Sequence, residues 1–155
     1  MKKTFLTALI AMLTFSCGDS TSPEEKDKIE YRYNSGAVPP QYSFEYFYTF
    51  YSDGTLNYKK TDSEGTVLED VDYQSGETFY SSLVTFITQH DIEGLNSQYH
   101  NPEMAGHVLR GITIETENIS KMITITGYWE EGLPDALWQL EEMITNRIDE
   151  VESWQ

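Results

Sequence analysis

The chain has very little cysteine and very little positive charge. Cys17 is its single cysteine, so no intramolecular disulfide can hold the fold, and stability must come from a buried core. Ten Lys and Arg residues stand against 26 Asp and Glu residues, which gives a formal net charge of −16. An acidic surface repels phosphates, which argues against a nucleic-acid partner and against broad docking on anionic lipid. It leaves a basic protein, a divalent cation or simple solubility as reasons for the charge.

The motifs of common nucleophilic and nucleotide-binding enzymes are also absent from the sequence. The chain contains no G-x-S-x-G, no Walker-type loop, no G-x-G-x-x-G and no calcium-loop pattern. Each of these motifs places a nucleophile, a phosphate cradle or a set of oxygen ligands that its chemistry requires. The sequence therefore predicts a protein that is not an enzyme and that carries no cofactor.

The most informative segment that is present lies at the start of the chain. A mostly apolar run occupies residues 5–15 and follows the basic pair Lys2 and Lys3. This run is too short to span a bilayer, and a small residue, Ser16, follows it. A basic start, a short apolar run and a small residue are typical of a secretory signal.

Residues 13–17 (LTFSC) resemble the lipobox of bacterial lipoprotein precursors, although Thr14 and Phe15 depart from its usual Leu-Ala-Gly/Ala-Cys pattern. The resemblance implies that residues 1–16 are a signal peptide that is removed. It also implies that Cys17 carries acyl chains such as palmitate and anchors the protein in the bacterial cell envelope, at the outer membrane. Acyl chains hold a protein at a bilayer through the burial of their CH₂ groups. The alternative is ordinary secretion, with the thiol left unmodified.

Residues 17–28 are polar and contain Pro23, which is typical of a flexible tether. The acidic part of this tether resembles the surface-export signals of lipoproteins from Bacteroidota. Residues 29–155 remain for the folded part, and their number fits a single domain.

Period-2 patterns and turn residues predict two groups of antiparallel strands. The predicted strands are 29–33, 42–51, 56–61 and 67–73, followed by a C-terminal hairpin of 109–117 and 121–129. In the strand 42–51 every even position is aromatic, so these side chains, Phe44 among them, are expected to face the core. Phe47 and Tyr51 are then expected on the opposite, solvated face.

Two amphipathic segments predict helices. Ser75 is the expected N-cap of the first, and the second begins near Pro134, since proline is tolerated in a first helical turn. The apolar positions of the two stripes are Phe79, Leu83, Phe86 and Ile87, and then Leu137, Leu140, Ile144, Ile148 and Val151. Glu141 and Glu142 are expected outside the second stripe.

These elements predict an α+β domain. Its single antiparallel sheet has about five to six strands, a meander plus the C-terminal hairpin, with both helices packed on one face. Between the two groups, residues 91–95 are expected to be extended and residues 96–108 to form an irregular loop.

The loop 96–108 contains the candidate metal ligands His100, Glu103 and His107, spaced H-x₂-E-x₃-H. Imidazole and carboxylate groups bind Zn²⁺ in proteins. Pro102 and Gly106 argue against the regular helix that would align the three side chains on one face. The sequence therefore predicts solvated side chains here, with a metal site as the alternative.

Aromatic residues outside the core offer a candidate binding patch for a protein or a carbohydrate, because tyrosine is favoured at interfaces. The candidates are Phe47, Tyr51, Tyr99, Tyr128 and Trp129. The leading functional hypothesis is a non-enzymatic envelope lipoprotein that serves as a binding or accessory module. One alternative is an inhibitor or immunity protein that neutralises a basic envelope-acting enzyme through charge complementarity. Another is a small metal-dependent hydrolase.

Overall fold

The computed structural model describes residues 27–101, 108–127 and 132–153. Within them the chain forms seven strands and two helices, with short 3₁₀ turns at Pro40–Tyr42 and Ile92–Gly94. The strands are β1 (Lys28–Asn34), β2 (Phe44–Tyr51), β3 (Thr55–Asp62), β4 (Val67–Gln74), β5 (Gln98–His100), β6 (Leu109–Glu115) and β7 (Ser120–Thr126). The helices are α1 (Glu77–Gln89) and α2 (Asp135–Glu152).

The strands form one sheet in the order β4-β3-β2-β1-β6-β7-β5. The predicted α+β class, with one sheet and two helices, is confirmed. The prediction of an antiparallel sheet of five or six strands is close but not exact, because β5 adds a seventh strand, parallel to β7, at the edge. This strand lies inside the segment 96–108 that was expected to be irregular, and the segment 91–95, expected to be extended, contains a 3₁₀ turn instead. Three residues are too few to show alternation, so β5 carries no period-2 signal.

Both helices pack on the same face of the sheet and bury a single core. Ile29 of β1, Phe50 of β2 and Ile112 of β6 belong to the same buried cluster as Leu83 of α1 and Leu140 of α2. The predicted core stripe of the last helix is confirmed at each position. The burial of these aliphatic and aromatic side chains is the main source of stability in a chain that has no disulfide.

The helix-facing side of the sheet becomes more polar from the Ile29 end of β1 towards its Tyr33 end. Cross-strand register sets three rows on this side: Ile114, Ile29, Phe50, Leu56 and Tyr73; then Ile112, Tyr31, Tyr48, Tyr58 and Val71; then Arg110, Tyr33, Tyr46, Lys60 and Glu69. The first row is mostly aliphatic, the second is rich in tyrosine, and the third has two adjacent tyrosines flanked by charged residues. The site described below lies against the second and third rows.

The predicted N-cap of the first helix is wrong. Ser75 is buried, and its hydroxyl donates to the carbonyl of Gly54 at 3.0 Å instead of capping the helix. Gly76 occupies the N-cap position without a side-chain bond. The turn before β3 therefore docks against the start of α1. Gly54 has a φ of +85°, and an added Cβ would lie 2.7 Å from the amide nitrogen of Glu77, so this docking requires glycine.

One charged residue interrupts the core face of α2. Glu141 was expected outside the apolar stripe, but it is buried, whereas its neighbour Glu142 is exposed. The expectation fails because position 141 follows Leu137 by four residues and precedes Ile144 by three, which places all three on one helical face. A buried carboxylate needs partners, and the sheet supplies them.

Candidate binding site along the second helix

A cavity of about 390 Å³ lies between α2 and the strands β1 and β6. Its walls include Tyr33 from β1, Arg110 from β6, and Trp138, Glu142 and Thr145 from α2. The three helical residues share one face of α2, because they are spaced four and three residues apart. This volume is within the range of sites that hold small molecules.

Glu141 forms the floor of this cavity together with two partners from the sheet. The Tyr31 hydroxyl donates to its Oε1 at 2.9 Å. Arg110 Nη1 donates to Oε1 at 2.8 Å and to Oε2 at 2.9 Å. The side chains of Arg110 and Glu141 are only 12% and 7% exposed. Burial of this kind is tolerated because each charge compensates the other and the carboxylate lone pairs are occupied.

The remaining polar atoms of this cluster determine which hydrogen bonds the cavity offers to a ligand. In the part of the chain that the structure describes, Arg110 Nη2 is buried without a hydrogen-bond partner. Such a donor is costly until an acceptor reaches it. Burial, followed by the charge of Glu141, raises the pKa of Tyr31 well above its ordinary value. Tyr31 is therefore a fixed neutral donor, and the arrangement suits binding better than proton transfer.

A second cavity of about 360 Å³ lies further along α2, against β2, β3 and β4. Tyr48 and Tyr58 line it on the sheet side and Glu152 on the helix side. The Tyr48 hydroxyl donates to Glu152 Oε1 at 2.9 Å. Burial, with the charge of Glu69 second, raises the pKa of Tyr58 to about 12. This cavity thus repeats the pairing of tyrosine with glutamate seen in the first.

The two cavities share one face of the helix. Glu141, Thr145, Ile148 and Glu152 are spaced by four, three and four residues, and each lines one of the two cavities. We call these two cavities together, between this face of α2 and the tyrosine rows, the α2 seam. From Glu141 in one half to Glu152 in the other, the rise along the helix axis is about 16 Å, at 1.5 Å per residue.

The structure describes three residues of the predicted aromatic patch and places them on two faces of the sheet. Phe47 and Tyr51 lie on the helix-free face, as the alternation in β2 predicted, and both are half-buried. Phe47 is covered by cations, with Lys59 Nζ 5.0 Å from its ring centre. Tyr99 lies instead on β5, in register with the buried Ile125 on the helix-facing side. Tyr128 and Trp129 lie outside the described residues.

Of the three candidate metal ligands, the structure describes one. His100 is exposed on β5, and Glu103 and His107 lie outside the described residues. Among the residues that the structure describes, no group of three or more His, Cys, Asp or Glu side chains could hold a metal ion.

Sequence reasoning missed the cluster of Tyr31, Arg110 and Glu141, although the signal was present. Glu141 occupies a core position of a helical repeat. Arg110 shares the strand parity of the buried Ile112 and Ile114. A cation and an anion that both fall on inward-facing positions must pair with each other or stay in solvent. This pattern in the sequence could have indicated the pair.

Among the described residues, neither helix has the length and apolar character needed to cross a bilayer. Comparison with known proteins adds no assignment: no family model matches the chain, and no curated protein matches it.

Proposed function

We propose that the protein is a non-enzymatic lipoprotein of the bacterial cell envelope that binds a ligand in the α2 seam. The observation that carries the proposal is the cavity above the buried cluster of Tyr31, Arg110 and Glu141. Apolar residues of similar size at both positions 110 and 141 would pack the helix on the sheet at little or no loss of stability, since buried ion pairs gain little over apolar replacements of both partners. A buried charge pair beside an open cavity therefore favours a role in binding.

The position of the cavity relative to the tether supports this function. The predicted tether joins β1 at Lys28, whereas the cavity is lined by Tyr31 and Tyr33 near the other end of the strand. Tyr33 lies five residues beyond Lys28 along the strand, a distance of about 17 Å. A protein anchored through Cys17 would thus present its cavity at the end of the strand that lies away from the anchor.

The anchor is tested by replacing Cys17 with serine and fractionating the cells. The wild-type protein is expected in the membrane fraction with an incorporated fatty-acid label, because the thiol is the acylation site. Cys17→Ser is expected to lose the label and either remain uncleaved or become soluble. Ser20→Ala, in the same tether, is the matched control and should behave as wild type. A labelled, membrane-bound Cys17→Ser protein would exclude the anchor.

Binding in the seam is tested with the full chain in detergent micelles. Fractions of envelope extract are added while the indole N–H signal of Trp138, a residue of the cavity wall, is followed by NMR. A saturable shift is expected for at least one fraction, and Thr145→Phe, which narrows the cavity, should abolish it. Gln139→Ala, at an exposed neighbouring position, is the control. If no fraction shifts Trp138, the seam is not a binding site.

A second candidate function, inhibition of a basic envelope-acting enzyme, is favoured by the edge strand β4. This strand ends the sheet, and Asp70 and Asp72 lie exposed on it beside the exposed apolar residues Val67 and Leu68. An edge of this kind can pair with an extended basic segment. Inhibition would be supported if a basic enzyme is captured at low salt and released at high salt. The double variant Asp70→Asn/Asp72→Asn should then no longer capture it. Capture that salt does not change would count against inhibition.

A further inference from the structure

We infer that the α2 seam binds a neutral oligosaccharide, an inference that rests on the binding function proposed above. The first argument is charge. The cation of the first cavity, Arg110, is already compensated by the two bonds to Glu141, and Glu142 adds a further carboxylate to the wall. The second cavity is lined by Glu69 and Glu152. An anionic ligand would therefore meet net negative charge in both halves of the seam, in a chain of net charge −16.

The shape and chemistry of the walls give the second argument. Tyr33 and Trp138 line the first cavity, and Tyr48 and Tyr58 line the second. Trp138 is 44% exposed although it is a large aromatic residue. Flat aromatic surfaces bury the C–H faces of sugar rings and leave the ring hydroxyls free for hydrogen bonds. The same surfaces offer little to a compact polar ion.

The hydrogen-bonding groups give the third argument. Arg110 Nη2 is a donor without a partner in the described chain, so a ligand oxygen that accepts from it removes an unmet hydrogen bond. The Thr145 hydroxyl donates to the carbonyl of Glu141 at 3.0 Å and therefore offers only its lone pairs to a ligand. The exposed carboxylate of Glu142 is an acceptor as well. Sugar hydroxyls both donate and accept, so they match a wall that presents both kinds of group.

The length of the seam indicates an oligosaccharide in preference to a monosaccharide. Both cavities lie on one face of α2 and on adjoining tyrosine positions of β1 and β2, since Tyr31 is the cross-strand partner of Tyr48. A ligand that reaches from Glu141 to Glu152 must extend over about 16 Å. Linked sugar units provide that extension with a repeated pattern of flat faces and hydroxyls.

The test uses isothermal titration calorimetry on the full chain in detergent micelles, with three matched tetrasaccharides. N-acetylated chitotetraose is the neutral probe, its fully deacetylated form is the cationic probe, and tetragalacturonate is the anionic probe. The neutral probe is expected to bind, and to bind about tenfold more tightly than N-acetylglucosamine, because it reaches both cavities. Trp138→Ala is expected to weaken it up to about tenfold through the loss of aromatic contact. Gln139→Ala should leave its affinity unchanged.

The outcomes separate this inference from the function on which it rests. Binding of the neutral probe that depends on Trp138 supports both. Binding of only the anionic or cationic probe, with a shift of the Trp138 signal, overturns the neutral-saccharide inference and keeps the binding function. If no probe binds but an envelope fraction still shifts Trp138, the inference also fails while the function stands. If neither probes nor fractions act on Trp138, both fail. A thermal melt of Trp138→Ala verifies that the variant remains folded.

Discussion

Glu141 shows how much a single buried charge depends on its partners. Its carboxylate accepts bonds from Tyr31 and Arg110, and nearly all of its surface is covered. Removing one member of such a pair leaves the other charge in a medium that solvates it poorly. The energetic consequence is asymmetric: the intact cluster contributes little net stability, whereas a broken cluster is strongly unfavourable.

Glu141→Ala is therefore expected to lower the free energy of unfolding by about 3–5 kcal/mol, because it strands the guanidinium of Arg110. Glu142→Ala, one residue along the same helix and exposed, is expected to change it by less than about 0.5 kcal/mol. Urea denaturation followed by circular dichroism measures both values. Equal effects of the two substitutions would show that Glu141 is not held as described.

At the scale of elements, burial increases along β2 from Phe44 to Phe50, although its inward side chains are all aromatic. Phe50 is fully buried, and its ring centre lies 5.3 Å from that of Phe79 in α1. Phe44, at the other end of the strand, is on the predicted face but only half-buried, with Lys60 Nζ 4.8 Å from its ring centre. The helices therefore cover the first of the three rows more completely than the third.

Phe50→Ala is accordingly expected to lower the free energy of unfolding by about 3–5 kcal/mol, the usual effect of removing a buried phenylalanine. Phe44→Ala should have a clearly smaller effect, since its ring leaves no closed cavity behind. The two midpoints of urea denaturation, measured side by side, decide the matter. A larger loss for Phe44 would mean that the polar end of the sheet is the better packed one.

The tyrosines of the second row predict a loss of stability in alkali. Tyrosine has an ordinary pKa of 10.0. Burial raises the pKa of Tyr58 to about 12, and burial also raises the pKa of Tyr48. A group whose pKa is higher in the folded than in the unfolded protein contributes its full stabilisation at a pH below the unfolded-state pKa. This contribution is lost as the pH rises through the folded-state pKa. The free energy of unfolding should thus fall as the pH rises from 10 to 12.

The Tyr48→Phe/Tyr58→Phe variant should flatten this fall, because it has no hydroxyl left to ionise at these two sites. Phe50→Leu, which weakens the core without touching a tyrosine, should keep the slope of the parent protein. Denaturant unfolding at a series of alkaline pH values provides the slopes. An unchanged slope in the tyrosine variant would assign the alkaline loss to other groups.

The sequence predicted the elements whose pattern repeats over many residues and missed those without a repeat. Aromatic alternation identified β2, and the spacing from Leu137 to Val151 identified α2. The edge strand β5 is too short for a pattern and forms because backbone groups near residues 97–101 bond to β7. The seam was missed for a different reason: it joins residue 31 to residues 110 and 141, and a linear pattern does not reveal which distant positions meet.

At the scale of the whole molecule, the excess of acidic residues acts on the folded state as self-repulsion. With 26 acidic and 10 basic residues, compaction brings like charges together, and dissolved ions screen them with a Debye length of about 8 Å at physiological ionic strength. The free energy of unfolding is therefore expected to rise as sodium chloride is raised from near zero to about 0.15 M. A variant with Glu64→Lys and Glu142→Lys should show a weaker rise, and thermal melts at several salt concentrations test this. A fall in stability with salt would mean that ion pairs outweigh repulsion.

Metal removal provides a second test of the whole chain. Since no metal-holding group occurs among the described side chains, EDTA is expected to leave the thermal midpoint unchanged. A metal bound only to the native state would add to its stability, and EDTA would then lower the midpoint. Such a decrease would revive the metal-dependent alternative, with Glu103→Gln as the next variant to measure.

The central position of β1 determines how the protein would carry mechanical load. The strand that begins at Lys28, directly after the predicted tether, is paired over its whole length with β2 on one side and with β6 on the other. Tension along the tether would therefore shear two hydrogen-bonded ladders at once, instead of peeling off an edge strand one bond at a time. A domain held in this way would resist a pull from the proposed membrane anchor while the proposed ligand is held at the far end. The link between anchor and site is then the strand that is hardest to extract from the sheet.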